Sequence, residues 1–142
     1  MLFGFQPDDT AVAPNGQIYL PKPIYSDDFS SELLAEARLF IHEMTHVWQY
    51  QLGYAVRRTR AVRPNMSYDY VLDEEKRLCD YNMEAQGNIL ADYFLLEFRN
   101  APNFLYERQY ANSADAITRY RRTLDAFLRN PGSKENLPNV TR

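Results

Sequence analysis

The feature that most constrains this chain is a pair of histidines, His42 and His46, inside its strongest helical pattern. Apolar residues recur at helical spacing from about residue 31 to residue 52, and Gly53 then provides a C-terminal cap. Four residues is slightly more than one helical turn, so both imidazoles project from the same face of the helix. The 142-residue chain has no other histidine, so both of its imidazoles lie on this one helix face.

The segment from His42 to His46 has the sequence His-Glu-Met-Thr-His, which is the HExxH pattern. Two ring nitrogens one turn apart can both reach one metal ion at about 2.0–2.1 Å. Glu43 is rotated by about 100° around the helix axis, so its carboxylate can reach a water on the metal rather than the metal itself. If two histidines and a glutamate were placed at random in a chain of this length, the motif would arise with a probability on the order of one in a thousand. We therefore expect a metal-dependent hydrolase site with Glu43 as general base, rather than a solvated helix face.

The apolar residues of the same helix indicate how it packs. Leu33, Ala37, Met44 and Trp48 form a stripe that faces roughly away from the histidines. We expect this stripe to pack against the core and the imidazoles to line an open cleft.

A catalytic zinc takes three protein ligands and leaves a fourth position for water. Because no histidine remains, the third ligand is expected to be a carboxylate, and the single cysteine, Cys79, excludes a thiolate cluster. The best candidate is Glu84, on a second predicted helix whose small residues Gly87 and Ala91 let the two helices approach closely. The competing acidic residues are Glu74, Glu75, Asp80 and Asp92.

Three of these competitors have other interpretations. Glu74 and Glu75 are typical of first-turn acids, which the helix dipole favours. Asp92 is expected to orient a ligand histidine through its second ring nitrogen. Spacing alone leaves the choice of the third ligand open.

The chain is expected to form one mainly α domain, residues 1–142, with a minor N-terminal hairpin. Residues 1–30 are rich in proline and turn formers, and residues 17–20 suit a short strand, so this part is predicted to be an extended or hairpin arm. The stretch 54–72 is expected to be a connection. Its arginine cluster, Arg57–Arg63, is interpreted as a solvated loop rather than as a site for an anionic substrate such as a peptide carboxylate or cell-wall fragment. Residues 133–142 are polar and are predicted to form a loosely held tail.

Two further helices are predicted after the arginine-rich stretch. The first lies within residues 73–98, with Asp73 or Asp80 as its N-terminal cap. One or two helical turns are expected within residues 104–110. The last helix is predicted from about residue 113 to residue 130.

Composition excludes several classes of protein. The net charge of −3 and the pI of about 5.4 argue against a nucleic-acid-binding protein. The sequence has no apolar run long enough for a transmembrane helix, and its first residues lack the basic and apolar regions of a signal peptide. We therefore expect a chain that is made without a classical export signal.

Short segments of the sequence resemble a known family, namely Ile41–Gln49, Asp80–Gln86, Ala91–Phe94, and more weakly Pro14–Tyr19 and Tyr25–Ser30. Together they resemble zincin metallopeptidases of the gluzincin type. More narrowly, they resemble the small metallopeptidase domains at the C-termini of bacterial type VI secretion spike (VgrG) proteins, and stand-alone Vgr-related proteins. The resemblance covers about residues 14–98. Such relatives carry further residues before the position of Phe3, so a shortened N-terminus is expected.

The resemblance implies a zincin-like fold in which His42, His46 and Glu84 bind one zinc ion and Glu43 is the base. It implies a peptidase that acts on a peptide, protein or peptidoglycan-stem substrate. It also implies synthesis in the bacterial cytoplasm and an antibacterial effector or toxin that is secreted or delivered into the periplasm of a target cell. Its implied partner is a secretion spike or an immunity protein. The alternative is a secretion-associated binding or adaptor module whose zinc site is structural or degenerate.

The oxyanion of such a reaction needs a hydrogen-bond donor beyond the metal. Because no histidine is left, this donor is expected to be Tyr68, Tyr70, Tyr81 or an arginine of residues 57–63, unless the metal acts alone. The sequence leaves this choice open.

Overall fold

A computed structural model describes residues 29–140, and this part of the chain is helical, without a β-strand. The α-helices are α1 (Phe29–Gln51), α2 (Val56–Val62), α3 (Met83–Arg99), α4 (Ala116–Thr123) and α5 (Asp125–Arg129). Short 3-10 turns lie at Leu78–Asp80, Pro102–Phe104, Arg108–Tyr110 and Lys134–Asn136. The predicted mainly α class is confirmed for these residues. The predicted N-terminal hairpin lies outside the described residues, except that residues 29 and 30 begin α1.

The two longest helices, α1 and α3, share the most extensive helix–helix contact of the described chain. Every residue of α3 from Met83 to Tyr93 is buried. A helix that is buried all round occupies the centre of a protein, so α3 is the central element of the fold. No helix in the part of the chain that the structure describes is both long and apolar enough to cross a membrane.

The main apolar core packs α3 against the C-terminal helices. Ile89 and Leu95 of α3 are fully buried, as are Tyr120 of α4 and Leu124 at the junction between α4 and α5. Burying one side chain of this size stabilises the folded state by about 1.5–3 kcal/mol. This core holds the C-terminal half of the chain on α3.

Gly87 allows α1 and α3 to come close together. A Cβ atom at this position would lie 2.6 Å from His42 Nδ1 and 2.7 Å from His42 Cε1, much closer than a van der Waals contact. Ala91, one turn further along α3, is also fully buried. The close approach predicted from these small residues is therefore present, and Gly87 makes the room for the His42 ring.

The side of α1 that is buried is the polar one. Leu33 and Met44, which were expected to pack against the core, are 52% and 39% exposed. His42 and His46, which were expected to line an open cleft, are 5% and 0% exposed. The predicted orientation of α1 is therefore wrong for Leu33, Met44 and the imidazoles, because polar partners on α3 receive the rings. It is confirmed for Trp48, which is partly buried and packs against the apolar core.

The start of α3 also differs from the prediction. Asn82 is the N-cap, and its Oδ1 accepts a hydrogen bond from the backbone N–H of Ala85 at 2.8 Å. Neither Asp73 nor Asp80 caps this helix, because the 3-10 turn Leu78–Asp80 comes before it. An asparagine satisfies the free N–H groups of a first turn as well as an aspartate does.

Two helical segments were predicted incorrectly. Residues 56–62, expected to be solvated connection, form α2, because fully buried Val56 packs with Met66 and Met83 in a small separate cluster. The single helix predicted from about residue 113 to residue 130 is divided into α4 and α5. Leu124, with φ −92° and ψ 4°, interrupts it. The expected turns within 104–110 are present as 3-10 turns.

Residues 133–140, predicted to belong to a loosely held tail, are attached to the rest of the fold. Gln86 Nε2 of α3 donates to the backbone carbonyl of Asn136 at 3.0 Å. The backbone N–H of Asn139 donates to the carbonyl of Cys79, a buried residue, at 2.8 Å. Such attachments through backbone groups leave no pattern in composition, so the sequence did not indicate them.

Replacing Gly87 with alanine tests the close approach of α1 and α3. We expect Gly87→Ala to lower the free energy of unfolding by about 1–3 kcal/mol, because added volume in a dense interior forces its neighbours to shift. Chemical denaturation in the presence of a chelator measures this change. Gly132→Ala is the matched control, since a Cβ there meets nothing closer than 3.7 Å. Equal stability of the two variants would contradict the close approach.

Candidate metal centre

Three buried side chains from α1 and α3 meet at the contact between these helices. His46 Nε2 lies 2.7 Å from Glu84 Oε1, and His42 Nε2 lies 3.1 Å from the same oxygen. The two Nε2 atoms are 3.2 Å apart. The structure thus brings together His42, His46 and Glu84 as a group that can hold a metal ion.

The three ligand atoms suit a small cation. Zinc binds imidazole nitrogen and carboxylate oxygen at about 2.0–2.2 Å, and tetrahedral coordination then separates the ligand atoms by about 3.3 Å. The observed separations of 2.7, 3.1 and 3.2 Å are slightly shorter. Imidazole and carboxylate donors are typical ligands of zinc and of several other first-row transition metals. The residues present therefore fit such an ion.

Each candidate ligand histidine is held from behind by a side-chain amide. His42 Nδ1 lies 2.8 Å from Asn88 Oδ1, and His46 Nδ1 lies 2.8 Å from Gln49 Oε1. Because an amide oxygen only accepts hydrogen bonds, these contacts assign the proton to Nδ1 of each ring. Both Nε2 atoms therefore present their lone pairs to the site.

Further hydrogen bonds determine which way the two amides point. Asn88 Nδ2 donates to the carbonyl of Tyr68 at 3.1 Å. Gln49 Nε2 donates to the carbonyl of Met83 at 3.2 Å and to Gln86 Oε1 at 2.8 Å. These acceptors require the NH2 group of each amide on their side, so the amide oxygens face the imidazoles.

Sequence analysis missed both orienting amides, although helical spacing offered a signal. Asn88 follows Glu84 by four residues on α3, and Gln49 follows His46 by three residues on α1. Residues three or four apart share a helix face, so each amide lies on the same face as a ligand. The missing information was which amide would meet which imidazole across the helix contact.

Asp92, expected to orient a ligand histidine, does not do so. It accepts hydrogen bonds from the hydroxyl of Tyr70 at 2.6 Å and from the backbone N–H groups of Tyr106 and Glu107 at 2.7 and 3.0 Å. Burial raises the pKa of this carboxyl, although these donors act in the opposite direction. Asp92 therefore ties the 3-10 turns of the C-terminal half to α3.

The other competing acids also lie away from the site. Glu74 and Glu75 are exposed in a turn well before α3, so they are not the first-turn acids that the sequence indicated. Asp80 accepts a hydrogen bond at Oδ2 from the backbone N–H of Arg77 at 3.0 Å. Of the carboxylates considered, Glu84 alone reaches the two imidazoles within the described chain.

The second oxygen of Glu84 is also occupied. Arg60 Nη2 donates to Glu84 Oε2 at 3.3 Å, and the hydroxyl of Tyr68 donates to it at 3.2 Å. Burial tends to raise the pKa of Glu84, but the two adjacent histidines and the charge of Arg60 hold that pKa well below its usual range. Arg60 therefore belongs to the site, whereas the sequence favoured a solvated position for the arginines.

Of the three tyrosines considered as donors, Tyr68 lies at the site. Its ring is stacked on that of His42, with a centroid distance of 5.8 Å and an interplanar angle of 15°. Burial and the nearby Glu84 charge raise the pKa of Tyr68 to about 12. Tyr70 contacts Asp92 and Tyr120, and Tyr81 donates to a backbone carbonyl, so both lie elsewhere.

Glu43 has the opposite environment to Glu84. Its side chain is buried, and its Oε2 has no hydrogen-bond partner within the described part of the chain. Burial raises the pKa of Glu43 to about 7, although nearby Arg60 and His42 act in the opposite direction. Leaving a buried carboxylate oxygen unpaired is unfavourable for folding, so this position is more typical of function than of stability.

Removing Glu84 tests the ligand set. We expect Glu84→Ala to lose stoichiometric zinc, because two imidazoles alone do not complete a zinc site. Metal content of the purified protein measures this. Glu75→Ala, which removes an exposed carboxylate, serves as the matched control and is expected to keep its zinc. Full zinc occupancy of Glu84→Ala would show that another residue is the third ligand.

Removing Asn88 tests the orienting amides. We expect Asn88→Ala to weaken zinc binding by about 10–100-fold, because the His42 ring loses the group that fixes its orientation and tautomer. Competition with a chelator of known affinity measures the change. Asn103→Ala, at an exposed position, is expected to bind zinc as the unmodified protein does. Unchanged affinity of Asn88→Ala would exclude an orienting role.

Comparison with known proteins gives two findings, and no protein-family model matches the sequence. The chain is 44% identical over 98 residues to the type VI secretion system spike protein VgrG2b of Pseudomonas aeruginosa. This match covers 64% of the chain and spans 10% of that protein's length. The solved effector domain of VgrG2b superimposes with a TM-score of 0.56 at 35% identity, over 87% of this chain and 64% of that one. The chain is thus homologous to the VgrG2b effector domain. This homology supports its assignment as a VgrG-related effector domain.

Proposed function

We propose that the chain is a zinc-dependent peptidase. The observation that carries this proposal is the position of Glu43, whose buried, unpartnered oxygen belongs to the residue directly after His42. A structural metal site needs ligands and orienting groups but no free carboxylate beside them. A hydrolytic site needs that carboxylate as a base. The HExxH spacing and the contact of His46 with Glu84 provide the three candidate metal ligands of such a site.

The ligands, the base and the orienting amides have separate roles in the proposed reaction. Zinc bound by His42, His46 and Glu84 would lower the pKa of a water molecule to about 7 and would polarise a carbonyl group. Glu43 accepts the proton of the attacking water and later passes it to the leaving amine. The amides of Asn88 and Gln49 keep both imidazoles in the orientation that binding requires.

Arg60 is the donor best placed to stabilise the oxyanion. It already points towards the ligand group, because it donates to Glu84 Oε2, to which Tyr68 donates its single hydroxyl proton. A guanidinium has five N–H donors, so Arg60 can hold Glu84 and still donate to a substrate oxygen. The guanidinium is also partly exposed, with 33% of the side chain accessible, so substrate can reach it.

The proposed biological role is that of a type VI secretion effector. Homology to the effector domain of VgrG2b supports it. On this proposal the chain associates with a secretion spike and is delivered into the periplasm of a target cell. Its substrates there are peptides, proteins or peptidoglycan stems, and an immunity protein protects the producing cell.

Replacing Glu43 tests the chemistry separately from metal binding. We expect Glu43→Gln to keep its zinc and to lose peptide hydrolysis by about 10²–10⁴-fold, because an amide cannot accept the proton. Metal analysis and mass spectrometry of a digested peptide library measure the two effects. Glu36→Gln, on the same helix, is the control and is expected to keep both zinc and activity.

Two outcomes would contradict the proposal. Full activity of Glu43→Gln would overturn the mechanism. An unmodified protein that contains one zinc per chain but cleaves no peptide in the library would indicate a binding or adaptor module with a structural metal.

A further inference from the structure

The two carboxylate oxygens of Glu84 contact different groups. Oε1 lies 2.7 Å from His46 Nε2 and 3.1 Å from His42 Nε2, so it faces the position of a metal ion. Oε2 accepts hydrogen bonds from Arg60 and from Tyr68 at 3.3 and 3.2 Å. The side chain itself is only 4% exposed, so solvent does not compete for either oxygen. The carboxylate is thus divided between the ligand group and a pair of donors.

We propose that Arg60 and Tyr68 are positioning residues that occupy Glu84 Oε2 and thereby keep Glu84 a metal ligand through Oε1 alone. This inference rests on the metal site of the proposed function and adds two residues to it. A carboxylate that binds through both oxygens fills an additional coordination position. Restricting Glu84 to one oxygen keeps a bound metal four-coordinate, with three protein ligands and one position for water, as in a catalytic site.

The arginine reaches Glu84 because of a helix that the sequence did not predict. Val56 at the start of α2 is fully buried beside Met83, the residue before Glu84. Arg60 follows Val56 by four residues and therefore lies on the same face of α2. Burial of Val56 thus turns one arginine of this basic segment towards the carboxylate, while Arg58 is exposed.

The tyrosine is positioned by hydrogen bonds on both sides of Glu84. Asn82 Nδ2 donates to the carbonyl of Ser67 at 3.0 Å, and Asn88 Nδ2 donates to the carbonyl of Tyr68 at 3.1 Å. These two amides attach the segment that carries Tyr68 to α3, before and after Glu84 in sequence. Stacking on the His42 ring further restricts Tyr68. These hydrogen bonds to α3 and the stacking on α1 therefore direct the Tyr68 hydroxyl at Glu84 Oε2.

An ordinary ion pair would explain the Arg60 contact in a simpler way, since partly exposed pairs contribute little to stability. The two explanations differ in what happens to Oε2 when its donors are removed. An ordinary pair leaves the coordination of a bound metal unchanged. The proposed pair of donors, once removed, frees Oε2 to bind the metal.

Cobalt(II) distinguishes these cases, because four-coordinate Co2+ absorbs visible light several-fold more strongly than five- or six-coordinate Co2+. The experiment loads the full chain with Co2+ at saturation and records absorbance per bound ion. We expect strong bands for the unmodified protein. The double variant Arg60→Ala/Tyr68→Phe should show several-fold weaker bands and an affinity for Co2+ that is lower by about 10–100-fold.

Matched variants control for loss of charge and for misfolding. Arg58→Ala/Tyr50→Phe changes the same residue types at exposed positions and should keep the original spectrum. Arg60→Lys retains a cation and should preserve more of the absorbance than Arg60→Ala. Circular dichroism confirms helix content, and if the double variant does not fold, Arg60→Ala and Tyr68→Phe are each compared singly with the unmodified protein.

The outcomes separate this inference from the proposed function. An unchanged spectrum per bound ion in the double variant, with or without lower affinity, would overturn the positioning role while leaving the metal site intact. Weak bands already in the unmodified protein would overturn it as well. An unmodified chain that binds no Co2+ would overturn both the inference and the proposed metal site.

Discussion

The fold depends on a polar contact inside the protein, where His42 and His46 of α1 meet Glu84 of α3. Burying two imidazoles and a carboxylate is unfavourable unless each polar atom has a partner. The neighbouring residues supply these partners from several parts of the chain, with amides behind the rings and two donors on the outer carboxylate oxygen. Gly87 then allows the helices to approach closely enough for the contact to form. The central position of α3 follows from this arrangement.

The meeting of two histidines and one glutamate could be predicted because the information for it is local. The spacing of His42 and His46 determines their common helix face, and Glu84 was the best acidic candidate on the next long helix. The orienting role of Asn88 and Gln49 could not be predicted, because it depends on the register between two helices. The face of α1 was predicted wrongly for a related reason. Hydrophobic periodicity assumes that apolar residues are the buried ones, whereas here hydrogen bonds across the helix contact decide.

The arginine-rich stretch shows another limit of sequence reasoning. Its composition indicates a solvated connection, but the burial of Val56 makes it a helix and places Arg60 beside Glu84. The two glutamates show the same dependence on surroundings. Glu84 is surrounded by donors that hold its pKa low, whereas burial without a partner raises the pKa of Glu43 to about 7. On the proposed function, environment rather than residue type separates the ligand Glu84 from the base Glu43.

The neutral amides behind the two imidazoles have a consequence for reactivity. A carboxylate in that position orients the ring and also increases its electron donation to a bound metal. Asn88 and Gln49 orient the rings through amide oxygens, which carry no net charge. The formal negative charge among the ligands then comes from Glu84 alone. A divalent ion bound here would therefore keep a net positive charge, and it would act as a stronger electrophile than it would with anionic groups behind the histidines.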